Sequence, residues 1–209
     1  YTSFEIKSEM ETGEEGCVFS VRVKNTGAVP GKEVVQVYVG APQGKLGKPS
    51  REMAAFAKTR CLASGEEQKI TLTVTKRSIA SYDDSGATGN KSCFVLEAGS
   101  YRFYVGADVR SAAFVGSMEI NALEVLEHCT EALSPVERFE RFVPEREKKS
   151  EPAERFAVSR EQAPLRTYSM AERSRGEKKQ EITYTGDKGY KLGDVYDGKV
   201  SMEDFVGQL

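Results

Sequence analysis

The stretch Val18–Val39, VFSVRVKNTGAVPGKEVVQVYV, decides the fold of this chain. Apolar and polar residues alternate on both sides of a loop at 25–33, which contains Asn, Gly and Pro residues that suit turns. Because β-branched residues at a period of two are typical of half-buried strands, the stretch predicts two antiparallel strands of a β-sandwich. We predict that the inward-facing residues are Cys17, Phe19, Val21, Val23, Val35, Val37 and Val39.

Similar short stretches, separated by turn residues, recur as far as Ile120. The clearest is Gln68–Thr75, in which Ile70, Leu72 and Val74 alternate with Lys and Thr residues. About seven such strands predict an all-β sandwich of immunoglobulin type. The other predicted strands lie at Tyr1–Ile6, around Phe56, and at Cys93–Glu97, Ser100–Gly106 and Phe114–Ile120. We expect a polar turn at Glu9–Gly16 and a short helical turn at Lys76–Tyr82.

One local motif supports this topology. Tyr101 follows the tight turn Glu97-Ala98-Gly99 and lies just inside a predicted strand. Sandwiches of this class place a tyrosine corner at such a position, with the hydroxyl bonded back to upstream backbone. We predict such a corner at Tyr101, the alternative being an ordinary core aromatic.

Charge and cysteine content narrow the range of partners. The chain has 30 basic and 32 acidic residues, a net charge of −2, which gives no basic field for nucleic acid. No apolar run approaches the length of a membrane-spanning helix, so we expect no membrane partner. The four widely spaced cysteines and the single His128 make a zinc site improbable. We interpret Cys17 and Cys93 as buried free thiols, a usage typical of cytosolic proteins.

The last third of the chain has a different composition. We interpret 123–145 as a docking segment, in which Leu133, Val136, Phe139 and Phe142 suggest a helical stripe after Pro135. Charged residues dominate 146–183, which we predict to be a charged linker that wraps over a surface. Ser201 with acidic residues behind it then predicts the start of a short terminal helix.

Taken together, residues 1–120 resemble the fibronectin type III-like domain of glycoside hydrolase family 3 enzymes, the β-glucosidase group. The combination is specific, whereas a single piece such as Asn25-Thr26-Gly27 is weak. The matching pieces are Val23–Gly27, Gly31–Tyr38, Pro42, Pro49, Phe56–Lys58, Gly65-Glu66, Ser81–Asp83, Gly99–Tyr101 and Val105-Gly106. The resemblance implies a fibronectin type III-like sandwich at 1–122.

The tail carries a second resemblance. It resembles the lead-in to the (β/α)8 barrel of the same family, and the matching pieces are Tyr184–Gly189, Leu192–Val195, Gly198–Val200 and Ser201–Phe205. This implies that 184–209 are the lead-in and first helix of a following barrel, in a parent of permuted domain order. The partners implied are the α/β sandwich and barrel domains of the same polypeptide. We expect a bacterial, cytoplasmic parent, and self-association through the apolar tail is a further possibility.

The sequence indicates no catalytic, cofactor-binding or metal-binding residue. Retaining glycoside hydrolysis needs two carboxyl groups about 5 Å apart, and the family motifs that carry them do not occur in this chain. The adjacent pair Asp83 and Asp84 lies in a Gly/Ser-rich loop, which we interpret as a solvated turn. His128 lacks a paired arrangement with a Ser or Cys nucleophile, and we interpret it as a residue near a surface segment.

Three functions remain open at this point. The first is a non-catalytic structural and domain-packing module, whose parent hydrolyses terminal β-D-glucosides or related glycosides with retention, as the resemblance implies. The second is a carbohydrate-binding module in which Tyr38, Tyr82 and Tyr104 stack on sugar rings. The third is an independent catalytic domain, which the missing constellation of catalytic side chains opposes.

Overall fold

The computed structural model describes residues 1–131, 133–144, 158–169, 171 and 182–209. The chain divides into two compact units, Tyr1–Leu165 and Arg166–Leu209, which are described separately.

The first unit is built around a seven-stranded sandwich of two antiparallel sheets. A three-stranded sheet has the order β1-β2-β5, and a four-stranded sheet has the order β4-β3-β8-β9. The chain is therefore all-β and of the predicted fold class. The strands are β1 (Phe4–Gly13), β2 (Gly16–Asn25), β3 (Val34–Gly40), β4 (Glu52–Lys58), β5 (Glu67–Thr75), β6 (Ser81–Asp83), β7 (Cys93–Leu96), β8 (Gly99–Gly106), β9 (Ala113–Ile120), β10 (Glu124–His128), β11 (Glu140–Pro144) and β12 (Val158–Gln162).

The core lies between the two sheets and contains the side chains predicted to face inward. Phe19 and Val21 of β2 are fully buried, as are Val35 and Val37 of β3. Phe19 meets Phe103 of β8 with ring centroids 5.4 Å apart, in a tilted pair that joins the two sheets. The predicted facing of β5 is confirmed because Leu72 and Val74 are buried and Ile70 packs against the core from a half-buried position.

The first strand is longer than predicted. The polar stretch that follows Ile6 continues as strand to Gly13 and pairs with β2 in a hairpin that turns at Glu14 and Glu15. Charged residues on the outer face of β1 break the apolar pattern there, but the ladder to β2 continues through ten residue pairs. The helical turn after β5 is confirmed as a 3-10 turn at Lys76–Ile79.

Two smaller sheets complete the first unit. Strands β10, β7 and β6 form one of them, and β11 and β12 form a hairpin-like pair in which Phe142 lies opposite Arg160. The predicted helical stripe after Pro135 is wrong, since 133–139 are a turn, bends and irregular chain, and β11 follows. Strand β12 lies within the stretch that we predicted as a charged linker; Arg160 and Glu161 form ion pairs across to Glu140 and Arg141.

Within residues 182–209, the second unit has two short helices, α1 (Leu192–Tyr196) and α2 (Met202–Gly207). The predicted start of the terminal helix is confirmed because the Ser201 hydroxyl accepts a hydrogen bond from the Asp204 amide at 3.0 Å. Gln208 is buried and holds the lead-in: its Oε1 accepts from the amides of Lys188 and Tyr190, and its Nε2 donates to the Tyr190 carbonyl. Leu209, the last residue of the chain, is 80% exposed.

Candidate functional site

A buried ion pair organises the loop between β3 and β4. The Nζ of Lys48 lies 2.7 Å from Oε2 of Glu97, and the exposed fractions of the two side chains are 5% and 6%. The Glu97 carboxylate also accepts hydrogen bonds from the backbone amides of Lys45 and Leu46, while Lys48 donates to the Pro42 carbonyl at 3.1 Å. The three contacts to Glu97 bind loop 41–50 to the turn between β7 and β8, and the fourth lies within the loop.

The environment of Glu97 favours its charged form. Burial alone would raise the pKa of the carboxyl, but Lys48 and the two loop amides outweigh it and hold the pKa below its ordinary value. The loop backbone approaches the carboxylate closely at Gly44, where a Cβ would lie 2.2 Å from Oε1 of Glu97. Any larger residue at this position would push the carboxylate away from its partners in the loop.

The predicted tyrosine corner is present at the same turn. The Tyr101 hydroxyl donates a hydrogen bond to the Glu97 carbonyl at 3.2 Å, and the side chain is 1% exposed. Burial raises the pKa of Tyr101 to about 12. Glu97 therefore serves two elements, because its side chain holds the β3–β4 loop and its carbonyl anchors the corner.

Removing the corner hydroxyl in Tyr101→Phe is expected to cost about 0.5–1.5 kcal/mol in the free energy of unfolding at neutral pH. The pKa of an unfolded Tyr is about 10, so its elevation in the fold favours the neutral phenol. The stabilisation that the neutral Tyr101 hydroxyl gives the wild type is therefore lost as the pH rises from about 10 through the folded pKa of about 12, and Tyr101→Phe has no such contribution to lose. The gap between wild type and Tyr101→Phe should narrow above about pH 10.

Urea unfolding between neutral pH and about pH 11 measures this gap. Tyr82→Phe is the matched control, because Tyr82 is 37% exposed and its hydroxyl should matter little at either pH. A gap that widens with pH would contradict the assignment of the corner hydroxyl as the buried titrating group.

The interpretation of Asp83 as part of a solvated turn is wrong. Its side chain is fully buried and organises loop 83–90 by accepting from the amides of Gly86, Ala87 and Thr88 and from the Thr88 hydroxyl. Burial would raise the pKa of this carboxyl, but these donors together lower it. The loop sequence is polar because it wraps around a carboxylate, which a pattern of alternation does not reveal.

Asp84 faces a different partner. Its carboxylate pairs with the guanidinium of Arg141 on β11, which also contacts Oε1 of Glu161 on β12 at 2.7 Å. The two adjacent aspartates thus have separate tasks: Asp83 holds its own loop, and Asp84 ties that loop to the β11–β12 pair. Both carboxylates are bound to protein donors instead of facing a common substrate position.

The interpretation that His128 lacks a paired Ser or Cys is also wrong. Nδ1 of His128 lies 3.2 Å from Sγ of Cys93, its direct partner across the β7–β10 ladder. A thiol within hydrogen-bonding reach of an imidazole is the arrangement that a nucleophilic cysteine needs. Cys93 is, however, only 3% exposed, so a substrate would have to displace its neighbours to reach the sulfur. The contact joins two strands and lacks an open approach.

The three tyrosines considered for sugar stacking differ in their surroundings. Tyr38 is 8% exposed and donates its hydroxyl hydrogen to Gln36. Tyr104 carries the guanidinium of Arg51 over its ring, 3.9 Å from the centroid. Tyr82 packs against Phe94 with ring centroids 5.1 Å apart. They do not share one open face on which a sugar chain would stack.

The described residues contain no group of three or more His, Cys, Asp or Glu side chains that is arranged to hold a metal ion. In the same part of the chain, no helix is long and apolar enough to cross a membrane. The chemical task of these buried carboxylates is to hold backbone in place. Glu97 fixes loop 41–50, and Asp83 fixes loop 83–90.

The family model of the fibronectin type III-like domain matches residues 33–109, which lie within this sandwich. The domain is one of those carried by glycoside hydrolase family 3 β-glucosidases, and the relatives of the chain are enzymes of this kind.

A β-glucosidase of Ruminococcus albus is 46% identical over all 209 residues, and the match takes up 21% of its length. The solved structure of a β-glucosidase from Paenibacillus barengoltzii superposes with a TM-score of 0.85 at 43% identity, over 100% of this chain and 23% of that one. β-Glucosidase 3B from Thermotoga neapolitana matches 61% of this chain and 17% of its own, with a TM-score of 0.54 and 36% identity. The chain therefore spans about a fifth of the length of these relatives.

Proposed function

We propose that this chain is a non-catalytic, domain-packing part of a longer family 3 glycoside hydrolase that cleaves terminal β-D-glucosides or related glycosides with retention. The observation that carries the proposal is the match of the whole chain to only 21% of the Ruminococcus albus β-glucosidase. Its partners are the α/β sandwich and barrel domains of the same polypeptide, and its setting is the bacterial cytoplasm.

The use of the buried ionisable groups supports a structural role. The oxygens of Glu97 accept from Lys48 and from backbone amides of loop 41–50, and those of Asp83 accept from amides of its own loop. A general acid or nucleophile needs an oxygen free to meet the substrate, whereas these carboxylates serve to fix loops. The described residues thus contribute rigidity to the parent enzyme.

The carbohydrate-binding alternative has less support. Stacking on sugar needs an open aromatic face, and the rings of Tyr38 and Tyr104 are covered by protein groups. The domain-packing function remains the better account of these side chains.

Hydrolysis of an aryl β-glycoside panel tests the proposal. The 209-residue chain and the longer polypeptide that contains it are assayed side by side at equal molar concentration. We expect turnover by the longer polypeptide alone, with β-D-glucosides among its substrates and retention of configuration in the product. Asp84→Asn in the longer polypeptide should leave kcat within about twofold, because this carboxylate pairs with Arg141 and has no part in the chemistry. Turnover by the 209-residue chain would overturn the proposal.

A further inference from the structure

The outer faces of the two sandwich sheets differ in chemistry. On the three-stranded sheet, Lys7, Arg22 and Lys69 stand side by side across the strands, with Glu5, Glu9 and Glu67 around them. This mixed-charge surface is typical of a face in contact with water. It can be compared with the outer face of the four-stranded sheet, which packs against the same core.

The four-stranded sheet carries an apolar row on its outer face. Met53, Tyr38, Tyr104 and Phe114 lie opposite one another in turn, so the row crosses β4, β3, β8 and β9. Met53 is 51% exposed, Phe114 is 53% exposed, and Phe56 farther along β4 is 65% exposed. A contiguous apolar surface of this kind marks an interaction site more often than a free surface.

Two arginines give the same face a positive charge. The guanidinium of Arg51 lies over Tyr104, and that of Arg102 lies over Phe114 with 5.0 Å between its central carbon and the ring centroid. Arg51 is further fixed by a 2.7 Å hydrogen bond to the Val109 carbonyl. Arginine held over aromatic rings is a typical composition for the centre of a protein interface.

We propose that this aromatic face, defined by Arg51, Met53, Phe56, Arg102, Tyr104 and Phe114, packs against another domain of the same longer polypeptide. The facing surface presents apolar side chains with carboxylates placed to meet the two guanidinium groups. This inference rests on the proposed function and deepens it, since it names the surface by which the module holds its neighbour.

A domain of the same polypeptide fits the aromatic face better than other occupants. The chain corresponds to 21% of the Ruminococcus albus relative, so most of such a polypeptide is available to cover the face. A second copy related by a two-fold axis would bring Arg51 and Arg102 toward their own images, and like charges repel. A sugar would find the rings of Tyr104 and Phe114 already beneath guanidinium groups.

Hydroxyl-radical footprinting with mass spectrometry tests the proposal directly. Oxidation of Met53, Phe56 and Phe114 is compared between the 209-residue chain and the longer polypeptide, both dilute. We expect Met53 to react at least about tenfold more slowly in the longer polypeptide, because the centre of an interface excludes water and the radicals dissolved in it. Met118, which is 3% exposed, is the internal control and should stay unreactive in both.

A charge substitution gives a second measurement. Phe56→Glu should lower the unfolding temperature of the longer polypeptide but not that of the 209-residue chain. Thr71→Glu on the polar outer face of β5 is the matched control, and should change neither. An equal effect of the two variants in the longer polypeptide would count against a covered aromatic face.

The other outcomes are distinguishable. Protection of Met53 in the 209-residue chain that grows with its concentration would assign the face to a second copy, and protection that needs added glucoside would assign it to a ligand; either overturns the inference. If Met53 stays reactive in a longer polypeptide that hydrolyses glucosides, the inference fails while the proposed function stands.

Discussion

The substitution Glu97→Gln is expected to lower the free energy of unfolding of the first unit by about 3–5 kcal/mol. The change removes a charge and leaves the Lys48 ammonium, whose side chain is 5% exposed, without its counter-ion. The amide group also turns one acceptor into a donor, which meets the backbone amide of Lys45 or Leu46. Loop 41–50 would lose its anchor to the β7–β8 turn.

Urea unfolding monitors this loss, and a double variant separates its causes. Adding Lys48→Met to Glu97→Gln removes the stranded charge and should restore part of the stability. Glu127→Gln is the surface control: Glu127 pairs with Arg77 at 2.6 Å, but both side chains are about half exposed, so the cost should stay below about 1 kcal/mol. Equal costs for Glu97→Gln and Glu127→Gln would refute the buried-pair account.

The same pair has a signature in acid. The pKa of Glu97 is lowered in the fold, whereas the pKa of an unfolded Glu is about 4.3. The stabilisation is therefore fully present above that pH and is lost as the pH falls through the lower, folded value. Glu97→Gln should lack this part of the acid-dependent loss.

The sandwich was predictable because its strands follow a simple rule. Each of β2, β3 and β5 buries alternate side chains against one core, so period-two patterns around Phe19, Val37 and Leu72 predict both the strands and their facing. The tyrosine corner was predictable for a similar reason, since the hydrogen bond from Tyr101 reaches only four residues back.

The remaining features depend on long-range contacts. Glu97 meets Lys48 across 49 positions of sequence, and Arg141 meets Asp84 across 57. Strand β12 has few apolar residues and is held by its ladder to β11 and by ion pairs. The alternation of hydrophobicity carries no information on such partners, and the apolar spacing around Phe139 and Phe142 suggested a helix where extended chain runs.

A second large effect on the free energy of unfolding is expected at Asn25, which begins the loop within Val18–Val39 and is fully buried. Nδ2 of this residue donates to the carbonyls of Val29 and Leu62 at 2.9 Å each. Its Oδ1 accepts from the Thr2 hydroxyl at 2.7 Å and from the Gly27 amide at 3.0 Å. One side chain thus forms hydrogen bonds to its own loop, to Thr2 near the start of the chain, and to Leu62, which also forms the bridge to Gly31.

Asn25→Ala is accordingly expected to lower the free energy of unfolding by about 2–5 kcal/mol, since each buried group left without a partner costs about 1–3 kcal/mol. Urea unfolding measures the loss, and Asn121→Ala is the matched control because Asn121 is exposed between β9 and β10 and should change the stability by less than about 0.5 kcal/mol. Hydrogen exchange should also quicken at the Gly31 and Leu62 amides, which bond each other's carbonyls at 3.0 and 2.7 Å. If Asn25→Ala cost no more than Asn121→Ala, Asn25 would be a turn-former only, and the loop would owe its shape to Gly27 and Pro30.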